Sequence, residues 1–126
     1  MQLIEETPKA RFVVRAVGPD AVLVNDRTCR ASLIVAPNQL IEDWRHAPEL
    51  TPEDLHPILA LAPDVILLGT GDRLRRPSIT VYGYCLSRGV GIEVMDNAAA
   101  GRTYNVLAGE QRAVVAAFML PAQAIA

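Results

Sequence analysis

A short glycine turn followed by arginines is the stretch of this chain whose residue types could bind an anion. The turn is Gly69-Thr70-Gly71, and Arg73, Arg75 and Arg76 follow it. Backbone N–H groups in such a turn can approach a phosphate, and guanidinium groups bind phosphate or carboxylate bidentately. Leu74 stands where a dinucleotide-binding fingerprint has its third glycine, and the Walker lysine is absent. The stretch therefore predicts either a site for a small anionic molecule or a structural turn with solvated arginines.

A second group of residues, mostly polar, follows the next predicted strand. Polar side chains set among apolar neighbours need hydrogen-bond partners. They either hold a helix to the sheet or line a polar pocket, and the sequence leaves both interpretations open. The residues are Met95, Asp96, Thr103, Tyr104, Asn105 and Arg112. Together with the glycine turn and its arginines, they form the candidate pocket or interaction surface.

Catalytic and metal-binding constellations are not predicted from the residue spacing. His46 and His56 are too far apart in sequence for a helical metal-ligand pair. Ser78 and Ser87 lie outside any nucleophile elbow and beside no obvious base. We therefore assign no catalytic residue, metal or cofactor. The sequence leaves enzymatic activity open but favours a non-enzymatic protein.

Composition and charge restrict the class of partner. The formal net charge is -2, and Lys9 is the only lysine among twelve basic residues. This balance argues against binding to nucleic acid. No apolar run reaches the roughly 18 residues of a membrane span, and residues 1–10 do not read as a secretory signal. We expect a cytoplasmic protein with a flexible start over 1–10, in which Cys29 and Cys85 are buried free thiols.

The predicted elements place the candidate residues at one end of a sheet. Strands are predicted at 11–17, 21–24, 28–35, 64–68 and 91–95. The first three are separated by turns and indicate an antiparallel meander. The strand at 64–68 is continuously apolar, so both of its faces should be covered. A helix between 64–68 and 91–95 makes a βαβ unit, whose ligands bind at the carboxyl ends of the strands.

Capping residues and apolar spacing predict the helices. Thr51-Pro52 marks a helix start, and Pro57 should shorten or kink that helix. Ser78 is a plausible N-cap of a second helix, and a third helix is predicted over about 98–107. Residues Gln39 to Arg45 are read as a short strand or turn with Trp44 buried. The core-facing residues predicted for the second helix are Ile79, Tyr82, Cys85 and Leu86.

Several of these motifs, taken together, resemble a known family. They are Ile66–Gly71, Gly91–Asp96 and Arg102–Leu107, with Glu110 and Arg112 beyond. This set is similar to the Mth938-like family of domains of unknown function. That family includes the third assembly factor of mitochondrial NADH dehydrogenase (complex I) and an adipogenesis-associated protein. The resemblance extends from about Phe12 to Leu120.

The resemblance implies a fold and a class of function. The fold is a compact three-layer α/β domain over residues 1–126, with a central mixed sheet of about five strands, surrounding helices and an N-terminal β-meander. The chain from Arg112 onward would be an antiparallel strand of that sheet. The function would be interaction or assembly through protein partners, linked to a respiratory complex. The alternative is a small anionic molecule bound between the Gly69–Arg76 loop and the Met95–Asn105 segment. The oligomeric state stays open.

Overall fold

The computed structural model describes residues 10–121 and forms an α/β fold. The expectation of a flexible start over 1–10 therefore lies almost wholly outside the described residues. Within these residues, five strands come first, and three α-helices and three more strands follow, with a 3-10 turn at Pro52–Leu55. The strands are β1 Val14–Val17, β2 Val22–Val24, β3 Arg27–Cys29, β4 Leu33–Ala36, β5 Gln39–Ile41, β6 Val65–Gly69, β7 Gly91–Met95 and β8 Val114–Phe118. The helices are α1 His56–Leu59, α2 Ile79–Leu86 and α3 Asn97–Gly109.

The central sheet is mixed and has five strands in the order β5-β4-β8-β6-β7. Strand β6 lies parallel to both β7 and β8, whereas β4 lies antiparallel to β8 and β5. The expected final strand is therefore present, and it is antiparallel only to β4. Leu67 of β6 packs with α3 and the meander, while Ile66 and Leu68 pack with α1 and α2. This three-layer arrangement confirms the expected fold.

The N-terminal meander is a separate antiparallel sheet of β1, β2 and β3. The predicted third strand, 28–35, is wrong as a single element. It divides into β3 and β4, which belong to different sheets. The division falls near Ser32, whose hydroxyl oxygen accepts a hydrogen bond from the backbone N–H of Leu120 at 2.9 Å. The sequence conceals this division, because no glycine or proline separates Cys29 from Leu33.

The helix that begins after Thr51 is short, as Pro57 predicts. The Asp54 carboxylate accepts hydrogen bonds from the Thr51 N–H at 2.8 Å and from the Thr51 hydroxyl at 3.0 Å. Pro57 lies in α1, which has a single turn. Trp44 is buried at 3% exposure, as expected, and its indole N–H donates to the Asp54 carbonyl at 3.0 Å.

The predicted core face of α2 is wrong for its two aliphatic ends. Val81 and Cys85 are fully buried against the sheet. Ile79 is 82% exposed and Leu86 is 67% exposed. Every residue of α2 is uncharged, so apolar periodicity alone could not decide which side faces the core.

Candidate functional site

A wide groove lies at the carboxyl ends of the parallel strands β6 and β8. Its volume is about 1530 Å³. Three segments supply most of its lining: 43–50, 70–78 and 119–121. The sheet positions two of them, because 70–78 follows β6 and 119–121 follows β8. The groove thus occupies the edge where α/β sheets place ligands.

The floor of the groove contains a hydrogen-bonded pair that joins two segments of its wall. His46 Nδ1 lies 2.8 Å from the carbonyl oxygen of Ala47, so this nitrogen must be the donor. In the neutral ring, Nε2 then accepts a hydrogen bond from the Ser32 hydroxyl at 2.9 Å. Ser32 also accepts from the Leu120 N–H. These bonds fix the 43–50 segment against the end of β8, and this structural role accounts for both polar side chains.

The Ser32–His46 pair is a feature that the sequence did not reveal. The two residues are 14 positions apart and belong to no recognisable motif. The feature of the sequence that comes closest to predicting this pair is Trp44, whose burial is expected. Its ring packs against His46 with centroids 4.4 Å apart.

The rim of the groove carries charges of both signs. Arg73, Arg75 and Arg76 are exposed along one wall, as the sequence suggested. Arg45 also belongs to the groove lining, and its guanidinium forms an ion pair with the Asp43 carboxylate at 3.3 Å. The further acidic residues of the lining are Asp20, Glu49 and Asp72. Because the charges balance, the groove has no strong preference for an anion.

Thr70 shapes the arginine-bearing loop. Its hydroxyl donates to the Arg73 carbonyl at 2.6 Å and accepts from the Arg75 N–H at 2.9 Å. The backbone N–H of Thr70 is bonded to the Met95 carbonyl at 2.9 Å. The N–H of Gly71 donates to Asn97 Oδ1 at 3.1 Å. These N–H groups already have partners within the protein, so they do not form a free anion cradle.

The space expected between the Gly69–Arg76 loop and the Met95–Asn105 segment is filled by direct hydrogen bonds. Asn97 is 2% exposed, and its N–H donates to the Gly71 carbonyl at 2.7 Å. Its side-chain amide donates to the Met119 carbonyl at 3.0 Å. The alternative function of a ligand bound between these two segments therefore has no support. The groove lies on the other side of the glycine turn.

The polar residues of α3 hold the helix to the meander. The Tyr104 hydroxyl donates to the Phe12 carbonyl at 2.7 Å. The Asn105 amide accepts from the Val14 N–H at 2.9 Å and donates to the Val14 carbonyl at 2.7 Å. Asp96 caps α3 by accepting from the Ala99 N–H at 2.8 Å. Of the two interpretations left open, the internal network is the one observed for Tyr104 and Asn105.

Thr103 and Arg112, like the α3 residues above, lie apart from the groove. Thr103 is half-buried in α3. Arg112 precedes β8 at the opposite end of that strand, where it lines a separate cavity of about 450 Å³. The structure therefore brings Thr70, Gly71 and the three arginines to the groove, with Gly69 and Met95 behind them. It leaves the other candidates elsewhere: Asp96, Thr103, Tyr104, Asn105 and Arg112.

Burial shifts the titration of three side chains. It raises the pKa of Tyr104 strongly, because the phenolate would lose its hydration. It also raises the pKa of the Cys29 and Cys85 thiols. Both cysteines are free and buried, so neither has the properties of a reactive thiolate.

Within residues 10–121, no cluster of three or more His, Cys, Asp or Glu side chains could hold a metal ion. In the same part of the chain, no helix combines the length and apolar character that crossing a membrane requires.

Residues 14–119 match the family described as "Protein of unknown function (DUF498/DUF598)". The chain belongs to this family. The match runs from β1 through β8 and includes the glycine turn. The membership confirms the resemblance inferred from the spaced motifs.

A named relative and two solved structures are similar to this chain over most of its length. "NADH dehydrogenase [ubiquinone] 1 alpha subcomplex assembly factor 3" of Danio rerio is 28% identical over 126 residues, covering 96% of this chain and 71% of that protein. An NMR structure from Xanthomonas campestris is 43% identical with a TM-score of 0.78, covering 95% of this chain and 92% of the other. The NMR structure of a Bordetella pertussis "Mth938-like domain" is 27% identical with a TM-score of 0.78, covering 99% and 96%.

Proposed function

We propose that this protein is a non-enzymatic assembly protein whose groove binds a polypeptide segment of a partner. The shape of the groove is the observation that carries the proposal. Small-molecule pockets usually have volumes of about 300–1,000 Å³ and enclose most of their ligand. This groove is larger, at about 1530 Å³, and is open to solvent. An extended or helical segment would fill such a groove, whereas a metabolite would leave much of it wet.

The chemistry of the lining also suits a polypeptide. Leu74, which is 50% exposed, and the part-buried Met119 supply apolar surface in the lining, while the rim offers arginines beside carboxylates. Arginine is enriched at protein interfaces, and a polar rim around an apolar centre is their usual arrangement. A segment with a few apolar anchors and charges of both signs would find complementary groups here.

The name of the Danio rerio relative supports a respiratory partner. We infer that the partner belongs to a multi-subunit complex and that respiratory NADH dehydrogenase is the first candidate. We place this activity in the cytoplasm, as the sequence suggested.

A deletion strain of the source cell tests the proposal. We expect the deletion to reduce the fully assembled NADH dehydrogenase on native gels and to accumulate a subcomplex. The wild-type chain should restore assembly, while Arg75→Glu with Arg76→Glu should not. Arg102→Glu is the matched control, because Arg102 is exposed on α3 outside the groove.

Two results would contradict this function. One is normal assembly in the deletion strain. The other is a metabolite that co-purifies with the chain in stoichiometric amount and is lost when the groove arginines are reversed.

A further inference from the structure

Helix α2 has an apolar face that the described part of the chain leaves exposed. All eight residues of the helix, Ile79–Leu86, are uncharged. Ile79 is 82% exposed and Leu86 is 67% exposed, and the two lie on the same side of the helix. Helices of globular proteins normally bury their apolar stripe. In α2 the fully buried side chains are Val81 and Cys85, which meet the sheet, whereas Ile79 and Leu86 stay exposed.

Gly83 lies between these two side chains on the outward side. A Cβ atom built there would have no neighbour within 4 Å. Glycine is a much poorer helix former than alanine, and no contact within the described chain requires it here. A glycine on an exposed helix face does, however, allow a second backbone to approach closely.

We propose that a second copy of this chain covers this face, with the two α2 helices packed antiparallel around a two-fold axis at Gly83. Ile79 precedes Gly83 by four residues and Leu86 follows it by three. A two-fold axis at Gly83 therefore places Ile79 of one copy against Leu86 of its partner. Such a contact is self-complementary, as an isologous dimer requires.

Charge favours a second copy over other occupants. Two uncharged faces meet without leaving an ion unpaired, whereas a charged partner segment would find no counter-ion on α2. The nearby Arg88 is directed away, since its guanidinium stacks on the Tyr84 ring at 3.5 Å and donates to the Tyr84 carbonyl. A membrane surface would favour lysines and arginines along the helix, and α2 has none.

The area of this helix face determines how strongly the two copies should associate. A stable interface buries about 800 Å² on each partner, and a helix of this length, about 12 Å, offers less. The dimer should therefore be weak and form only at high concentration. The face lies outside the groove lining, so its test is independent of the proposed assembly function.

Sedimentation equilibrium of the full chain from about 5 to 500 μM tests the proposal. We expect a monomer at the low end and a dimer at the high end. Leu86→Glu should remain monomeric throughout, with an unchanged thermal midpoint measured at low concentration. Val106→Glu is the matched control, because Val106 is 59% exposed on α3, and it should dimerise like the wild type.

Gly83→Gln distinguishes the effect of Gly83 on helix stability from its effect on the approach of a second helix. Glutamine is the better helix former, so the thermal midpoint of the dilute monomer should rise. Its side chain would separate the two helices, so the dimer should weaken at least tenfold. The proposal is overturned if the wild type stays monomeric at 500 μM, or if a dimer forms and neither variant weakens it. Sedimentation of the monomer with neutral phosphatidylcholine vesicles, abolished by Leu86→Glu, would assign the face to lipid instead.

Discussion

At the scale of single residues, Asn105 shows how a polar group near the core becomes structural. Its amide imitates a neighbouring strand by pairing with both backbone groups of Val14 in β1. The sequence predicted that such a residue must be paired. It could not say whether the partner would be backbone or ligand, since β1 is 91 residues away.

Replacing Asn105 with alanine should leave the N–H and carbonyl of Val14 without protein partners. Because part-buried backbone groups lose hydration as well as the bond, we expect a loss of about 1–3 kcal/mol in the free energy of unfolding. Urea denaturation measures this change. Val106→Ala, at the adjacent exposed position, should change stability by less than about 0.5 kcal/mol.

Gly69 and Gly83 should respond oppositely to alanine. A Cβ at Gly69 would overlap the Asn97 side-chain oxygen and crowd Ala100, whereas a Cβ at Gly83 meets nothing. We expect Gly69→Ala to destabilise by about 1–3 kcal/mol through overpacking. Gly83→Ala should stabilise the monomer by up to about 1 kcal/mol through helix propensity. Equal effects in a thermal unfolding comparison would contradict the packing described for the glycine turn.

Tyr104 should make stability fall at high pH. Its pKa is raised in the folded chain, so above about pH 10 the unfolded chain releases this proton more readily. The free energy of unfolding contributed by this residue should then decrease by up to about 1.4 kcal/mol per pH unit until the folded pKa is reached. Urea titrations between pH 9 and 11 measure the slope. Tyr104→Phe should make it shallower; an unchanged slope would show that burial of the phenol is not the cause.

At the scale of elements, the sequence predicts the helices and strands whose residue pattern is compatible with only one local structure. Strand β6 is continuously apolar and is buried on both faces, and Thr51 begins a helical segment as expected. The prediction places helix α2 correctly but assigns Ile79 and Leu86 to its core-facing side. It does so because no charged residue marks the side of the helix that faces solvent. The 28–35 strand was read as continuous because local apolarity carries no information about sheet membership.

Asp54 should hold the 43–50 segment, which forms one wall of the groove, in its observed conformation. Its carboxylate accepts from the Thr51 N–H and hydroxyl and from the Ala47 N–H at 3.3 Å. We expect Asp54→Ala to lower the free energy of unfolding by about 1–2 kcal/mol, as loss of a helix cap does. The fluorescence of Trp44, which lies in this segment and donates to the Asp54 carbonyl, should shift to longer wavelength. Glu53→Ala, an exposed neighbour, should alter neither property.

At the scale of the whole molecule, the topology explains why the groove lies where it does. The segments after β6 and β8 diverge from the same sheet edge, and the 43–50 loop closes one side. The βαβ rule points to the edge at which the groove lies. It does not give the side of the glycine turn that stays open, because the other side is filled through Asn97 and contacts between distant segments.

Site-specific photo-crosslinking tests the central claim, that the groove binds a polypeptide, most directly. A benzophenone side chain would replace Leu74, 50% exposed in the groove lining, or Val106, 59% exposed outside it. After illumination in the source cell, adducts would be identified by mass spectrometry. We expect the probe at 74 to capture one defined subunit of a multi-subunit complex, and reversal of Arg75 and Arg76 to glutamate to abolish the adduct. Identical adducts from both positions, or none from position 74, would contradict the claim.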